Sequence, residues 1–135
     1  MGCKWVLNQF GDQIRSKEGV VAYLDTNVFC RPFDDLTDKR IREEASATIE
    51  LVALCELNRV RVHCSEILFA ELSSIEDSWK RGNAEALAVS ICVKTIKYSK
   101  TIEELADRIS TIEIDYIDSL HVASACNSGA EYFVT

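Results

Sequence analysis

The chain has 135 residues, 47% of them hydrophobic, which suits one compact domain with a buried core. With one proline, five glycines and no Pro-, Gly- or Ser-rich tract or internal repeat, it leaves no room for a flexible linker or a low-complexity region. The formal net charge of −7 has the wrong sign for a module that grips nucleic acid through a basic surface, although carboxylates that hold a cation would reverse the field locally.

Apolar runs such as Gly19-Val20-Val21-Ala22-Tyr23-Leu24 are far shorter than the ~20 residues that cross a bilayer, and the start has no apolar signal-like stretch. A cytoplasmic protein with no membrane partner is expected. The six cysteines (Cys3, Cys30, Cys55, Cys64, Cys92 and Cys126) contain no C-x-x-C pair, so reduced, mostly buried thiols are expected in place of a zinc knuckle or redox motif.

Residues 1–18 carry Trp5, Val6, Leu7, Phe10 and Ile14 at roughly helical spacing and read as an amphipathic arm ahead of a domain over 19–135. The run Val20-Val21-Ala22-Tyr23-Leu24 has the β-branched and aromatic members of a strand buried on both faces of a parallel sheet, and it stops at Asp25-Thr26-Asn27. Over residues 38–57, Ile41, Ala45, Ile49 and Val52 recur at steps of four and three, an amphipathic helix that Asn58 closes. Val60-Arg61-Val62-His63-Cys64 alternates like a second strand, and Ser65 then caps a helix with the stripe Leu68, Leu72, Ile75 and Trp79. Between residues 84 and 98 the first part reads as helix and Thr95-Ile96-Lys97-Tyr98 as a third strand. Thr101 and Glu104 have capping-box spacing, opening a helix with Ile102, Leu105, Ala106 and Ile109 along one side. Asp115 and Asp118 repeat that spacing before a helix that ends at Gly129, and Tyr132-Phe133-Val134 reads as a last strand.

Strands that alternate with helices predict an α/β fold, a three-layer α/β/α sandwich around a central parallel sheet. Sites in such sheets form beyond the carboxyl ends of the strands, and Asp25, Glu71 and Asp118 all map to that edge. Three carboxylates brought together from distant segments repel unless a cation lies between them. Oxygen ligands select a hard ion, Mg²⁺ or Mn²⁺. Each acid also has a purely structural reading. Asp25 can cap a turn, Asp118 can support a helix N-terminus, and Glu71 can be a solvated helix residue, although it borders the apolar stripe between Leu68 and Leu72.

His121, three residues after Asp118, reads first as a satisfied core histidine and second as part of a metal site, and His63 has less to recommend it. Arg31, Lys39, Arg40 and Arg42 read as scattered surface charge, with phosphate contact as the alternative. No Gly-rich phosphate loop follows any strand, which counts against a flavodoxin-like enzyme acting on a small molecule.

Three segments together carry a resemblance to PIN domains. Val21-Ala22-Tyr23-Leu24-Asp25-Thr26-Asn27-Val28-Phe29 resembles the family's opening strand, with Asp25 at the first acidic ligand and Asn27 at its usual polar neighbour. Ser65-Glu66-Ile67-Leu68-Phe69-Ala70-Glu71-Leu72 resembles the second motif, with Glu71 at the helical acidic position. Asp118-Ser119-Leu120-His121-Val122-Ala123-Ser124-Ala125, followed by Gly129-Ala130-Glu131-Tyr132-Phe133-Val134-Thr135, resembles the third, with Asp118 as its acid.

The resemblance implies a metal-dependent endoribonuclease like the toxin half of a toxin–antitoxin pair, with RNA as substrate, a small antitoxin protein as partner and a homodimer as assembly. On that reading Asp25, Glu71 and Asp118 are the catalytic, Mg²⁺- or Mn²⁺-binding acids, with Glu71 bound directly or through water. Asn27 orients a carboxylate or a metal-bound water, Thr135 supports the site from the end of the third motif, and Asp115 adds charge, although an N-cap is its simpler role. PIN domains usually place another Asp, or an Asn-Asp pair, just beyond the strand ending in Phe-Val-Thr. The resemblance therefore implies a chain that stops short of the family's last strand and helix. A catalytically inactive PIN-like scaffold acting through protein contacts is the second reading.

Overall fold

The computed structural model describes residues 19–110 and 114–135, so the arm expected over residues 1–18 lies outside the described residues. Among the described residues four strands, β1 (Val20–Leu24), β2 (Val60–Ser65), β3 (Cys92–Ile96) and β4 (Tyr132–Val134), pair in parallel in the order β3-β2-β1-β4. Among the described residues six helices flank the sheet: α1 (Thr26–Cys30), α2 (Lys39–Glu56), α3 (Glu66–Ser73), α4 (Ser78–Ile91), α5 (Lys100–Ser110) and α6 (Tyr116–Ser128). The chain steps outward from β1 through β2 to β3 and then returns to the other side of β1 for β4. That reversal opens a crevice beyond the carboxyl ends of β1 and β4, the usual place for a site in such a sheet.

Side chains alternate across each strand, and the two faces of the sheet support two cores. Val20, Ala22 and Leu24 of β1 join Val60, Val62 and Cys64 of β2 in the larger core, which α1 to α4 cover with Phe29, Leu51, Leu68, Leu72 and Ala84 among others. Ile96, Ile102, Ala106, Leu120 and Ala123 form the smaller core beneath α5 and α6. Tyr23 points away from Ala22 and Leu24 and meets α6 at His121. Helices on both faces make the three-layer sandwich that the alternating pattern predicts. Leu68 and Leu72 are fully buried, and each contributes roughly 1.5–3 kcal/mol. Their burial sets the rotation of α3 about its axis, and with it the direction of Glu71.

Helix ends follow local chemistry. Asp38 caps α2 by accepting from Ile41 N at 3.2 Å, and Asn58 ends it at φ 57°. Asn58 N donates to Cys55 O and Arg59 N to Leu54 O, both at 3.0 Å, the paired bonds of a left-handed helix terminus. Gly129, at φ 78°, closes α6 in the same way, with Ala130 N donating to Ala125 O at 3.3 Å. The next amide, Glu131 N, donates to Val21 O at 2.9 Å and starts the pairing of β4 with β1.

Three boundaries differ from those expected. The helix that begins after Ser65 breaks at Ser73, because the Ser73 and Ser74 hydroxyls donate to Phe69 O and Glu71 O and compete with helical bonds. Asp77 then caps a new helix by accepting from Lys80 N at 3.0 Å, so Trp79 belongs to α4. That helix runs straight into β3 at Cys92, and only Thr95 and Ile96 of the expected third strand lie within it. Helix α5 begins at Lys100 under Ser99, whose hydroxyl accepts from Ile102 N at 3.2 Å, in place of the box expected from Thr101.

Candidate active site

Asp25 is the residue at which β1 becomes α1. Its backbone still belongs to the sheet, with Asp25 N donating to Val134 O at 2.8 Å, while its side chain caps α1. Oδ1 accepts from Thr26 N at 2.6 Å and Oδ2 accepts from the Thr135 hydroxyl at 3.0 Å, so both oxygens are held although the residue is buried. Glu71 approaches from the second turn of α3, half-buried, and its Oε1 accepts a hydrogen bond from Thr26 Oγ1.

His121 completes the group from α6 and is wholly buried. Its Nε2 lies 3.0 Å from Glu71 Oε1, 3.5 Å from Thr26 Oγ1 and 3.8 Å from Asp25 Oδ1. On the other side of the ring, Nδ1 lies 2.7 Å from the Tyr23 hydroxyl, which is itself 2.6 Å from Ser65 Oγ. Ser65 is the N-cap of α3 and accepts from Leu68 N at 3.0 Å. Burial pushes the Tyr23 hydroxyl well above the ordinary tyrosine range, so it keeps its proton.

Asp25, Glu71 and His121 each offer a ligand atom, and these atoms lie within 4.8 Å of one another. Asp118, exposed and one turn before His121 on α6, is not one of the three residues whose ligand atoms converge. Its carboxyl is raised above the ordinary 3.8, first by partial enclosure and then by the like charges of Asp25 and Asp115, with a smaller contribution from Glu71. Asp118 therefore lies within the field of the other two acids.

The remaining candidates separate clearly. Asp115 is the N-cap of α6 and accepts from Ile117 N at 2.9 Å, the simpler of its two roles. Asn27 is exposed on α1, and its backbone oxygen accepts from Arg31 N; it is the neighbouring Thr26 whose side chain reaches Glu71. Arg31 pairs with Asp34 and Glu44, Arg40 with Glu44, and Lys80 with Asp34, a network that ties the turn after α1 to α2 and α4. Arg42 donates to Leu36 O, and Lys39 is exposed. His63 sits on β2, and its buried Nδ1 has no hydrogen-bond partner among the described residues.

Sequence reasoning passed over Thr26, Tyr23 and Ser65 as site residues, and it ranked His121 as core before site. The histidine is both at once. The available signal was its spacing: one turn after Asp118, it falls on the side of α6 that carries the buried Leu120, Ser124 and Ala125.

Two carboxylates converge here, and among the described residues neither Asp25 nor Glu71 has a lysine or arginine ion-pair partner. Such a donor set fits a divalent cation, whose charge would offset their repulsion.

Comparison with known proteins identifies the family and the fold. The model of the PIN domain family matches residues 22–135. VapBC2 from Rickettsia felis, solved bound to a DNA fragment from its promoter, superposes with a TM-score of 0.58 at 17% identity, covering 84% of this chain and 85% of that one. Mycobacterium tuberculosis VapC20, a toxin that cleaves the sarcin-ricin loop, superposes with a TM-score of 0.57 at 14% identity, covering 83% and 86%. No curated protein matches the sequence. With three motifs in order on the expected fold and a family match over most of its length, the chain belongs to the PIN domain family.

Proposed function

We propose that the protein is a metal-dependent endoribonuclease of the toxin type. The observation that carries this reading is the meeting of Asp25 and Glu71 around His121 at the carboxyl ends of the parallel strands, with no lysine or arginine among the described residues paired to either acid. Asp25, Glu71 and Asp118 would hold Mg²⁺ or Mn²⁺, which supplies an acidified water and charge stabilisation at the scissile phosphate.

The chain's own residues prepare for that chemistry. Thr26 N and Thr135 Oγ1 fix the two oxygens of Asp25, and each carboxylate oxygen has further acceptor capacity. Glu71 Oε1 is engaged by Thr26 and His121, which leaves Oε2 for a cation. Asp118, exposed at the rim, reaches the same field from solvent and is suited to the side from which RNA arrives.

The structural neighbours support a further part of the reading. One is a sarcin-ricin loop cleaving toxin and the other is a VapBC protein, which favours an antitoxin protein as the partner of this chain; a homodimer is the assembly that the family resemblance implies. Among the described residues no helix is long and apolar enough to cross a membrane.

The test is cleavage of single-stranded RNA by metal-depleted protein. Cleavage should be absent in EDTA, return with Mn²⁺ and vanish in Asp25→Asn. Cleavage that persists in EDTA, or in Asp25→Asn, would reject the proposal. Mn²⁺ binding without any cleavage would favour the inactive scaffold.

A further inference from the structure

Resting on the reading of Asp25 and Glu71 as cation ligands, we propose that His121 is a positioning residue and not a ligand. It donates from Nε2 to Glu71, and a hydrogen-bond chain from Ser65 through Tyr23 keeps the ring proton on that nitrogen.

The assignment comes from counting donors and acceptors. Ser65 Oγ already accepts the amide proton of Leu68, and its other partner is the Tyr23 hydroxyl. If Tyr23 donated to Ser65, the serine would accept twice and its own proton would have no acceptor in a buried setting, at a cost of about 1–3 kcal/mol. Ser65 therefore donates to Tyr23. The tyrosine proton then goes to the remaining partner of Tyr23, His121 Nδ1 at 2.7 Å. A ring nitrogen that accepts is unprotonated, which places the imidazole proton on Nε2.

The surroundings of Nε2 require the same answer independently. Glu71 Oε1 and Asp25 Oδ1 are carboxylate oxygens, and Thr26 Oγ1 has already given its proton to Glu71. All three neighbours can only accept. The chain thus runs in one direction: Leu68 N–H to Ser65, Ser65 to Tyr23, Tyr23 to His121, His121 to Glu71. Its members are drawn from β1, β2, α3 and α6, so both faces of the sheet cooperate in aiming one carboxylate.

A protonated Nε2 cannot bind a cation. The three-residue group of Asp25, Glu71 and His121 therefore presents an oxygen-only surface to the metal, with Glu71 Oε1 committed to Thr26 and His121.

The experiment is nitrogen-15 NMR of the histidine rings in the metal-free protein and after saturation with Mg²⁺. The sequence holds only two histidines, so a His63→Gln variant assigns the spectrum. His121 should show an unprotonated Nδ1 and a protonated Nε2 in both states. An unprotonated Nε2 in either state would overturn the proposal. Because the first state contains no metal, this readout stands whether or not the chain cuts RNA.

Mn²⁺ affinity, followed by electron paramagnetic resonance of the free ion, supplies the second arm. His121→Leu should weaken binding about 10- to 100-fold, the usual loss when an outer-shell partner is removed. His121→Gln, which keeps an N–H donor near the Nε2 position, should recover most of it, and an equal loss in the two variants would also overturn the proposal.

Discussion

The hydroxyl of Thr135 donates to Asp25 Oδ2 across 3.0 Å, so the residue that follows β4 holds the carboxylate that ends β1. Thr135→Val keeps the shape and removes the donor. Mn²⁺ affinity should fall about 10-fold and stability by about 1 kcal/mol, while Thr135→Ser should resemble the parent. Calorimetric Mn²⁺ titration with thermal unfolding checks both, and equal losses in the two variants would remove the hydroxyl from the account.

Asp25→Asn separates chemistry from folding. Asparagine also caps helices, so α1 should keep its start. Removing one of two facing negative charges should leave the metal-free Tm no lower than that of the parent, while Mn²⁺-dependent cleavage drops on the order of 100-fold or more. A large fall in metal-free Tm would mean that the carboxylate is needed for folding.

The pH dependence of stability should expose Asp118. Its folded carboxyl lies above the ordinary value of 3.8 because of partial enclosure and then the charges of Asp25 and Asp115. The folded state therefore binds this proton more tightly than the unfolded chain does. Stability is highest with the proton bound, falls as pH rises from the ordinary value through the raised one, and stays reduced above it. Asp118→Asn should flatten this part of the profile. Unfolding scans in EDTA between about pH 4 and 7 test the sign, and a wild-type profile no steeper than that of the variant would refute it.

Gly129 ends α6 at φ 78°, a conformation that costs an L-residue roughly 1–2 kcal/mol. Gly129→Ala should lower stability by about that amount in urea unfolding with an unchanged slope. An unaffected midpoint would show that the terminus adjusts at no cost.

Much of the fold was legible because it rests on local signals. Val20–Leu24 forms a strand as its unbroken apolar run suggests, since both faces of β1 are covered. Asn58 and Gly129 end helices as their tolerance of left-handed backbone allows. β3 was misplaced because three of its five residues are exposed, so it shows neither an apolar run nor clean alternation. The acids at strand ends and helix starts were legible from position. Thr26, Tyr23 and His121 were not, because their roles exist only in contacts that span 42 to 98 residues of chain, and no spacing rule reaches so far.

Ser65 starts α3 and also begins the hydrogen-bond chain that ends at Glu71. Aspartate would satisfy the first duty as well as serine does. As an acceptor-only group against the phenol, however, it would draw the tyrosine proton toward itself and oblige His121 to turn its own proton the same way, leaving Glu71 unsupported. A replacement that looks harmless by every rule of helix formation would thus reverse the polarity of the interior, and tolerance at this position is governed by the direction in which its hydroxyl points.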